Sequence, residues 1–389
     1  MSTTPSARIL EHIRGQEQTL TELLQRMVNA ESPSTLPDSH TLIRSILTDS
    51  LQRVGYKVAT INGGAHKHLY ARPRVRRKNV APQLLIGHFD TVWPLGTVGQ
   101  RPFAVEDNVA FGPGAFDMKG GLAQIVIALQ AIRDLDLEPP LLPVVFMNSD
   151  EEIGSRTSTR YVRMLARRSK RAFVLEPALG EDGAIKTERK GIGRFTIKVH
   201  GKAAHAGLDP EAGASAILEL SHVIQRLFAL NDAEKGITVN VGTIDGGQQP
   251  NVIAAYSQAV VDVRVPTYKS GEQIERIIHN LSPVTAGVHL TIEGGIGRPA
   301  MELTPRNQAL WLQARKLGTQ IGLNLQHVRA GGGSDGNTTS QYTATLDGLG
   351  PVGHGAHSER EFLYLDRTLD RAALLALLLL APPLDGERQ

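Results

Sequence analysis

Three short runs constrain the fold of this chain more than any other feature. "QLLIGHF" (83–89), "LLPVVFMN" (141–148) and "RAFVLEP" (171–177) are almost wholly apolar, and each delivers acids or a histidine at its end: His88 and Asp90, then Asp150, Glu151 and Glu152, then Glu176. Runs of this length read as buried strands. Between the first two, "GGLAQIVIALQAIRDL" (120–135) spaces its apolar residues as a helix does. Strands alternating with helices predict an α/β fold with a central, mostly parallel sheet flanked by helices. Functional groups in open sheets of this kind gather beyond the carboxyl ends of the strands.

The rest of the chain fits around that core. Residues 7–55 have helical spacing interrupted at "ESPSTLPDS", and "YKVATI" (56–61) is a further strand. Near residue 190 the pattern changes. "GRFTIKVHG" alternates as a half-exposed strand, and helix, strand, strand, helix and strand follow up to "GVHLTIEGG" (287–295). This β-α-β-β-α-β order is that of a small open-faced sandwich. The 389 residues therefore divide into a catalytic domain, 1–189 with 300–389, and an inserted domain, 190–299.

Composition narrows the function classes. The absence of cysteine excludes thiol catalysis, disulfides and thiolate zinc sites. A net charge of +3 is a weak signal. The basic clusters "RPRVRRK" (72–78) and "RRSKR" (167–171) lack aromatic interleaving and read as solvated faces, so no nucleic-acid partner is expected. The N-terminus has no apolar signal region, and "AALLALLLLA" (372–381) is too short to span a bilayer. A cytoplasmic enzyme without a membrane partner is the expectation.

Residues two apart on a strand share a face, so His88 and Asp90 suit a metal ligand and the group that orients it. Singly, each candidate has a bland reading as turn, cap or surface residue. Together they form a pattern. "GPGAFDMKGG" presents Asp117 before a helix, the acid trio would repel itself without a cation, and "GPVGHGAHSERE" adds His354 and His357. Imidazole and carboxylate without thiolate suit catalytic zinc, with cobalt or manganese as substitutes. One zinc needs about three protein ligands. His88, Asp117, Glu152, Glu176 and His357 are enough for two ions sharing Asp117, which would lower the pKa of a bound water. Glu151 is then the general base.

"GHFDTVWP", "GPGAFDMKGGLA", "NSDEEIGS", "LEP", "GKAAHAG" and "GAHSERE" resemble, in order and spacing, the motifs of the di-zinc aminoacyl hydrolases. That family includes glutamate carboxypeptidase of the carboxypeptidase G type, acetylornithine deacetylase and succinyl-diaminopimelate desuccinylase. "HFDTVWPLGT" with "RPF" looks most like the glutamate carboxypeptidase branch. The resemblance implies a zinc-exopeptidase-like fold with a lid and dimerisation domain, and cleavage of an amide bond beside a free carboxylate. The acetylornithine-deacetylase type of acyl removal is the alternative. It implies His88 and Glu176 on one zinc, Glu152 and His357 on the other, and Asp117 on both. Asp90 would orient His88, and a cis peptide would follow Asp117. His205 would reach the partner subunit's site in a homodimer and stabilise the oxyanion. Asn251, Arg264 and the glycine-rich loop at Gly332 would meet the substrate, with Arg298 and Lys190 weaker candidates for its carboxylate. "SDGN" (334–337), where relatives often carry another residue after the Asp, is a departure that bears on substrate preference.

"GGSDG" (332–336) also satisfies the G-x-S-x-G pattern of serine hydrolases, with Ser334 as nucleophile and Asp347 or Asp366 and His357 as partners. That reading leaves the acids at 150–152 unexplained and lacks a following helix pattern.

Overall fold

The three apolar runs become neighbouring strands. In the computed structural model, which describes residues 4–75 and 77–384, a six-stranded sheet is ordered Tyr56–Gly63, His66–Pro73, Leu142–Asn148, Pro82–His88, Arg171–Val174, Ala344–Leu346. The last four strands are parallel; His66–Pro73 runs antiparallel to its neighbour Leu142–Asn148 and forms a hairpin with Tyr56–Gly63. Alternation within Pro82–His88 explains its composition. Leu84 and Ile86 join Val144, Phe146 and Val174 on one face, under helix Thr159–Arg168. Leu85 joins Val145 and Phe173 on the other, under helices Glu17–Asn29, Gly120–Asp134 and Leu365–Leu380. A strand covered on both faces has no polar side to show, so it reads as a continuous apolar run. Each fully buried Leu, Ile or Phe contributes roughly 1.5–3 kcal/mol.

The run 372–381 lies in helix Leu365–Leu380, which is buried on nearly every side. Among the described residues, the one stretch long and apolar enough to cross a membrane is Ala115–Asp134, and 89% of it is buried inside the protein. The basic cluster at 167–171 is not uniformly solvated. Arg171 is 1% exposed and donates to Gln83 Oε1 at 2.9 Å and to the Ala381 carbonyl at 2.7 Å, capping the last helix. Its place at the start of an interior strand draws it inward. Arg76 of the other cluster lies outside the described residues.

The chain forms two compact units. One comprises residues up to Thr187, Leu303–Arg329 and Ser334 onward; the other comprises Glu188–Glu302 with Ala330–Gly333. The segment 330–333, expected in the catalytic domain, joins the second unit. The Lys190 N–H donates to the Ala330 carbonyl at 3.0 Å, and Arg189 Nη1 donates to the Gly332 carbonyl at 3.0 Å. In this unit the strands are ordered Thr238–Gly246, Tyr256–Val265, Gly191–His200, His289–Arg298, all antiparallel. Phe195, Ile197, Val261 and Val263 pack against helices Ala216–Phe228 and Tyr268–His279, while Arg194 and Lys198 alternate to the other side.

Candidate metal centre

His88 ends its strand and is 1% exposed. Its Nδ1 bonds the main-chain carbonyl of Asp90 at 3.0 Å, which turns Nε2 toward Asp117 Oδ1 at 3.3 Å and Glu176 Oε1 at 3.5 Å. The Asp90 carboxylate, expected to orient the imidazole, stands 3.6 Å from Nδ1. It serves another purpose. Oδ1 accepts the Glu151 N–H and Oδ2 the Glu152 N–H, each at 3.2 Å, and Oδ2 also accepts the Ser34 hydroxyl at 2.7 Å. His88 pairs with Asn148 across the parallel ladder, so the loops leaving both strands run side by side and one carboxylate ties them together.

Asp117 lies in the tight turn Ala115–Lys119 that opens helix Gly120–Asp134, and the Asp117–Met118 peptide is cis. The glycines after it have a steric reason. A Cβ at Gly121 would strike the Leu175 carbonyl, and one at Gly350 would strike the carbonyls of Leu175 and Glu176. Only bare backbone lets the Asp117 turn and the 350–357 loop close on the strand end that carries Glu176. In that loop His357 adopts a left-handed φ of 60°, uncommon outside glycine. Its Nε2 lies 3.0 Å from Glu152 Oε2 and 3.5 Å from Asp117 Oδ2. The two oxygens of Asp117 therefore face two different histidines. The carboxylate of Glu151 groups with His88 and Glu176, their ligand atoms all within 4.8 Å of one another. His354 is exposed and outside these groups. Asp150 points away and accepts from Thr157 and Ser158, whose hydroxyls and amides outweigh burial and keep its pKa below the usual carboxylate value.

The electrostatics describe a site short of positive charge. Burial, with Asp117 and Glu151 adding to it, pushes the Glu152 carboxyl up to about 7. The hydrogen bond to Glu152 pushes His357 up to about 9. Burial opposes a charge on His88, yet Asp117 and Glu176 outweigh it and hold its pKa well above the ordinary value. Asp117 Oδ1 and Glu152 Oε1 are buried with no hydrogen-bond partner. Buried acceptors without donors are costly, and here they face the same small space. Divalent cations fit: they take up bare oxygens and imidazole nitrogens and replace the protons the site otherwise attracts.

Two supports were not apparent from the sequence. Glu361, 2% exposed, accepts the amides of Gly114, Phe116 and Asp117 and the indole N–H of Trp93. Burial raises its pKa. Within "SERE" nothing separates it from its neighbour Glu359, which is exposed. Ser34, inside the break "ESPSTLPDS", holds Asp90. The Pro33–Thr91 bridge that brings it there is long-range and leaves no local signal.

The second unit carries the other candidates. His205 is exposed, and its Nδ1 accepts the N–H groups of Gly207 and Leu208, each at 3.1 Å. The proton of the neutral ring therefore sits on Nε2. The Ala206 N–H donates to the Asn251 carbonyl at 3.0 Å, which sets the His205 and Asn251 loops side by side. The Arg264 guanidinium forks onto Asp262 at 2.7 and 3.0 Å. Arg298 ends the edge strand His289–Arg298, half-buried, as is Lys190, and Gly332 is exposed. In the first unit Ser334 is 0% exposed; its hydroxyl donates to Asp347 and accepts from Gly336 as a helix cap. With His357 directed at Glu152 and Asp117, no triad forms, which removes the serine-hydrolase reading.

A mostly parallel α/β sheet with two histidines and four carboxylates gathered from its strand ends and adjoining loops defines a metal-dependent hydrolase. The family model described as "Peptidase dimerisation domain" (M20) matches residues 187–286. Carboxypeptidase G2 of Pseudomonas sp. (strain RS-16) is 27% identical over 354 residues, 87% of this chain and 82% of that protein. Two solved structures share the fold. Aminopeptidase PepT from Bacillus cereus has a TM-score of 0.76 at 20% identity, covering 93% of this chain and 98% of its own. A dinuclear metal-binding M20 peptidase from Bacillus subtilis has a TM-score of 0.66 at 15% identity, covering 93% and 98%. The chain is a hydrolase similar to M20 metallopeptidases, and it carries a match to their dimerisation domain.

Proposed function

We propose that this protein is a zinc-dependent hydrolase of the amide bond next to a free carboxylate, with a C-terminal glutamate or a similar N-acyl amino acid as substrate. The observation that carries the reading is Asp117, whose two oxygens face His88 on one side and His357 on the other. His88 and Glu176 would hold one cation, Glu152 and His357 a second, and Asp117 both. Cobalt and manganese suit the same donors. The bound ions would supply Lewis acidity to water and to the scissile carbonyl.

The chain's own groups account for the proton movements. Glu151 takes a proton from the attacking water as the O–C bond forms. It passes that proton to the leaving nitrogen as the C–N bond breaks. His205 of the partner subunit, with its proton on Nε2, donates to the developing oxyanion. Arg264, Arg298, Asn251 and the backbone at Gly332 are the candidate receivers of the substrate carboxylate, Arg264 by exchanging Asp262 for it. The similarity to a carboxypeptidase over most of the chain supports the free-carboxylate requirement.

A hydrolysis screen of N-acyl amino acids and dipeptides with varied C-terminal residues tests the specificity. C-terminal glutamate should be preferred, and substrates with amidated C-termini should be inert; equal cleavage of the amidated series would reject the proposal. Mixing Glu151→Gln and His205→Ala subunits tests the shared site. Random pairing gives half heterodimers with one intact site each, so about a quarter of wild-type activity should return.

A further inference from the structure

We propose that Glu361 is a positioning residue that sets the place of the shared ligand Asp117 and thereby governs metal retention. This rests on the metal-centre reading above. The argument is one of hydrogen bonds. Oε1 accepts the amides of Phe116 at 3.0 Å and Asp117 at 2.9 Å, while Oε2 accepts the amide of Gly114 at 2.8 Å and the Trp93 indole at 2.9 Å. All four donors are N–H groups, so both oxygens are saturated by the protein itself. Asp117 cannot rotate its main chain without breaking the bond from its own amide.

The four donors and the acceptor come from three places that carry ligands. Trp93 lies in the loop that leaves His88, residues 114–117 form the turn that presents Asp117, and Glu361 follows His357 by four residues in sequence. One buried carboxylate thus joins the segments that deliver His88, Asp117 and His357. A residue that only stabilised a turn would need one or two of these bonds from a single segment. Outer partners of this kind orient the ligands and add negative charge behind them.

Glu361→Gln isolates the effect because it keeps the shape. The amide group faces two N–H donors whichever way it is placed, so half of the hydrogen bonds are lost. We expect zinc dissociation constants, measured by calorimetric titration of the metal-free protein, to rise about 10–100-fold. KM should be unchanged, and the lost kcat should return with excess zinc. Trp93→Phe removes one donor and should give a smaller rise, which keeps the inference testable if Glu361→Gln folds poorly. In a Trp311→Phe background Trp93 is the single indole, and its emission should respond to zinc in the parent and not in Glu361→Gln. Unchanged zinc affinity in Glu361→Gln, with only a lower Tm, would overturn this inference alone. A parent protein that binds no zinc would overturn the functional reading and this inference with it.

Discussion

Asparagine at position 90 separates two accounts of how the site is held. Asp90→Asn preserves shape but replaces one acceptor by a donor. The Asn oxygen belongs in the Oδ2 place, where the Ser34 hydroxyl and the Glu152 N–H converge. The new NH2 group then faces the Glu151 N–H that Oδ1 accepts at 3.2 Å. One buried hydrogen bond to a charged acceptor is lost, and one buried amide is left unsatisfied. Together these cost about 2–4 kcal/mol after partial relaxation. The imidazole of His88 is untouched, because Nδ1 bonds the main-chain carbonyl of residue 90. The variant should lose this stability in urea denaturation and lower kcat about 10–100-fold through displacement of Glu151, yet keep the His88 proton on Nδ1 in 15N-histidine NMR spectra. Unaltered stability, or a His88 proton that moves to Nε2, would refute the reasoning and return Asp90 to the role of imidazole orienter.

Three further outcomes follow from the same geometry. Glu151→Gln should retain metal and KM while kcat falls roughly 10²–10⁴-fold; near-normal turnover would remove Glu151 as the base. Chelation should abolish turnover and lower Tm, because a ligand at 100 times its Kd stabilises the folded state by about 2.7 kcal/mol. Zinc should restore both, and a fluorophosphonate should have no effect. Burial holds His40 and His68, both 0% exposed, at pKa values of about 4 against an ordinary 6.5. The unfolded chain therefore binds more protons between those values. Their contribution is complete above pH 6.5 and is lost as pH falls toward 4, by up to roughly 3 kcal/mol per histidine. A His40→Gln, His68→Gln double variant whose Tm falls as steeply over that window would contradict this.

Local pattern carried much of this protein into view. Burial on both faces made the strands at 83–89, 141–148 and 171–177 apolar from end to end, and burial on one face made 193–200 alternate, so the sheet and the second unit were legible. A histidine and acids at the ends of interior strands are conspicuous because hydrophobic neighbours set them off. That is why His88, Glu152 and Glu176 stood out, while Asp117 and His357 stood out in glycine-rich segments, and the structure brings these five together. Supporting contacts were hidden for the complementary reason. Ser34 reaches Asp90 across 56 residues, and Glu361 reaches Gly114 across 247. Hydrogen bonds at such separations impose no periodicity on the chain. Arg171 looked like one more charge in a basic run until the end of the last helix supplied its carbonyls. Residue type and spacing determined which groups the chain could use, because burial acts along each strand. Which of those groups meet, and which carboxylate holds which amide, was decided by how distant loops pack, because a hydrogen bond is satisfied by proximity in space and not by position in sequence.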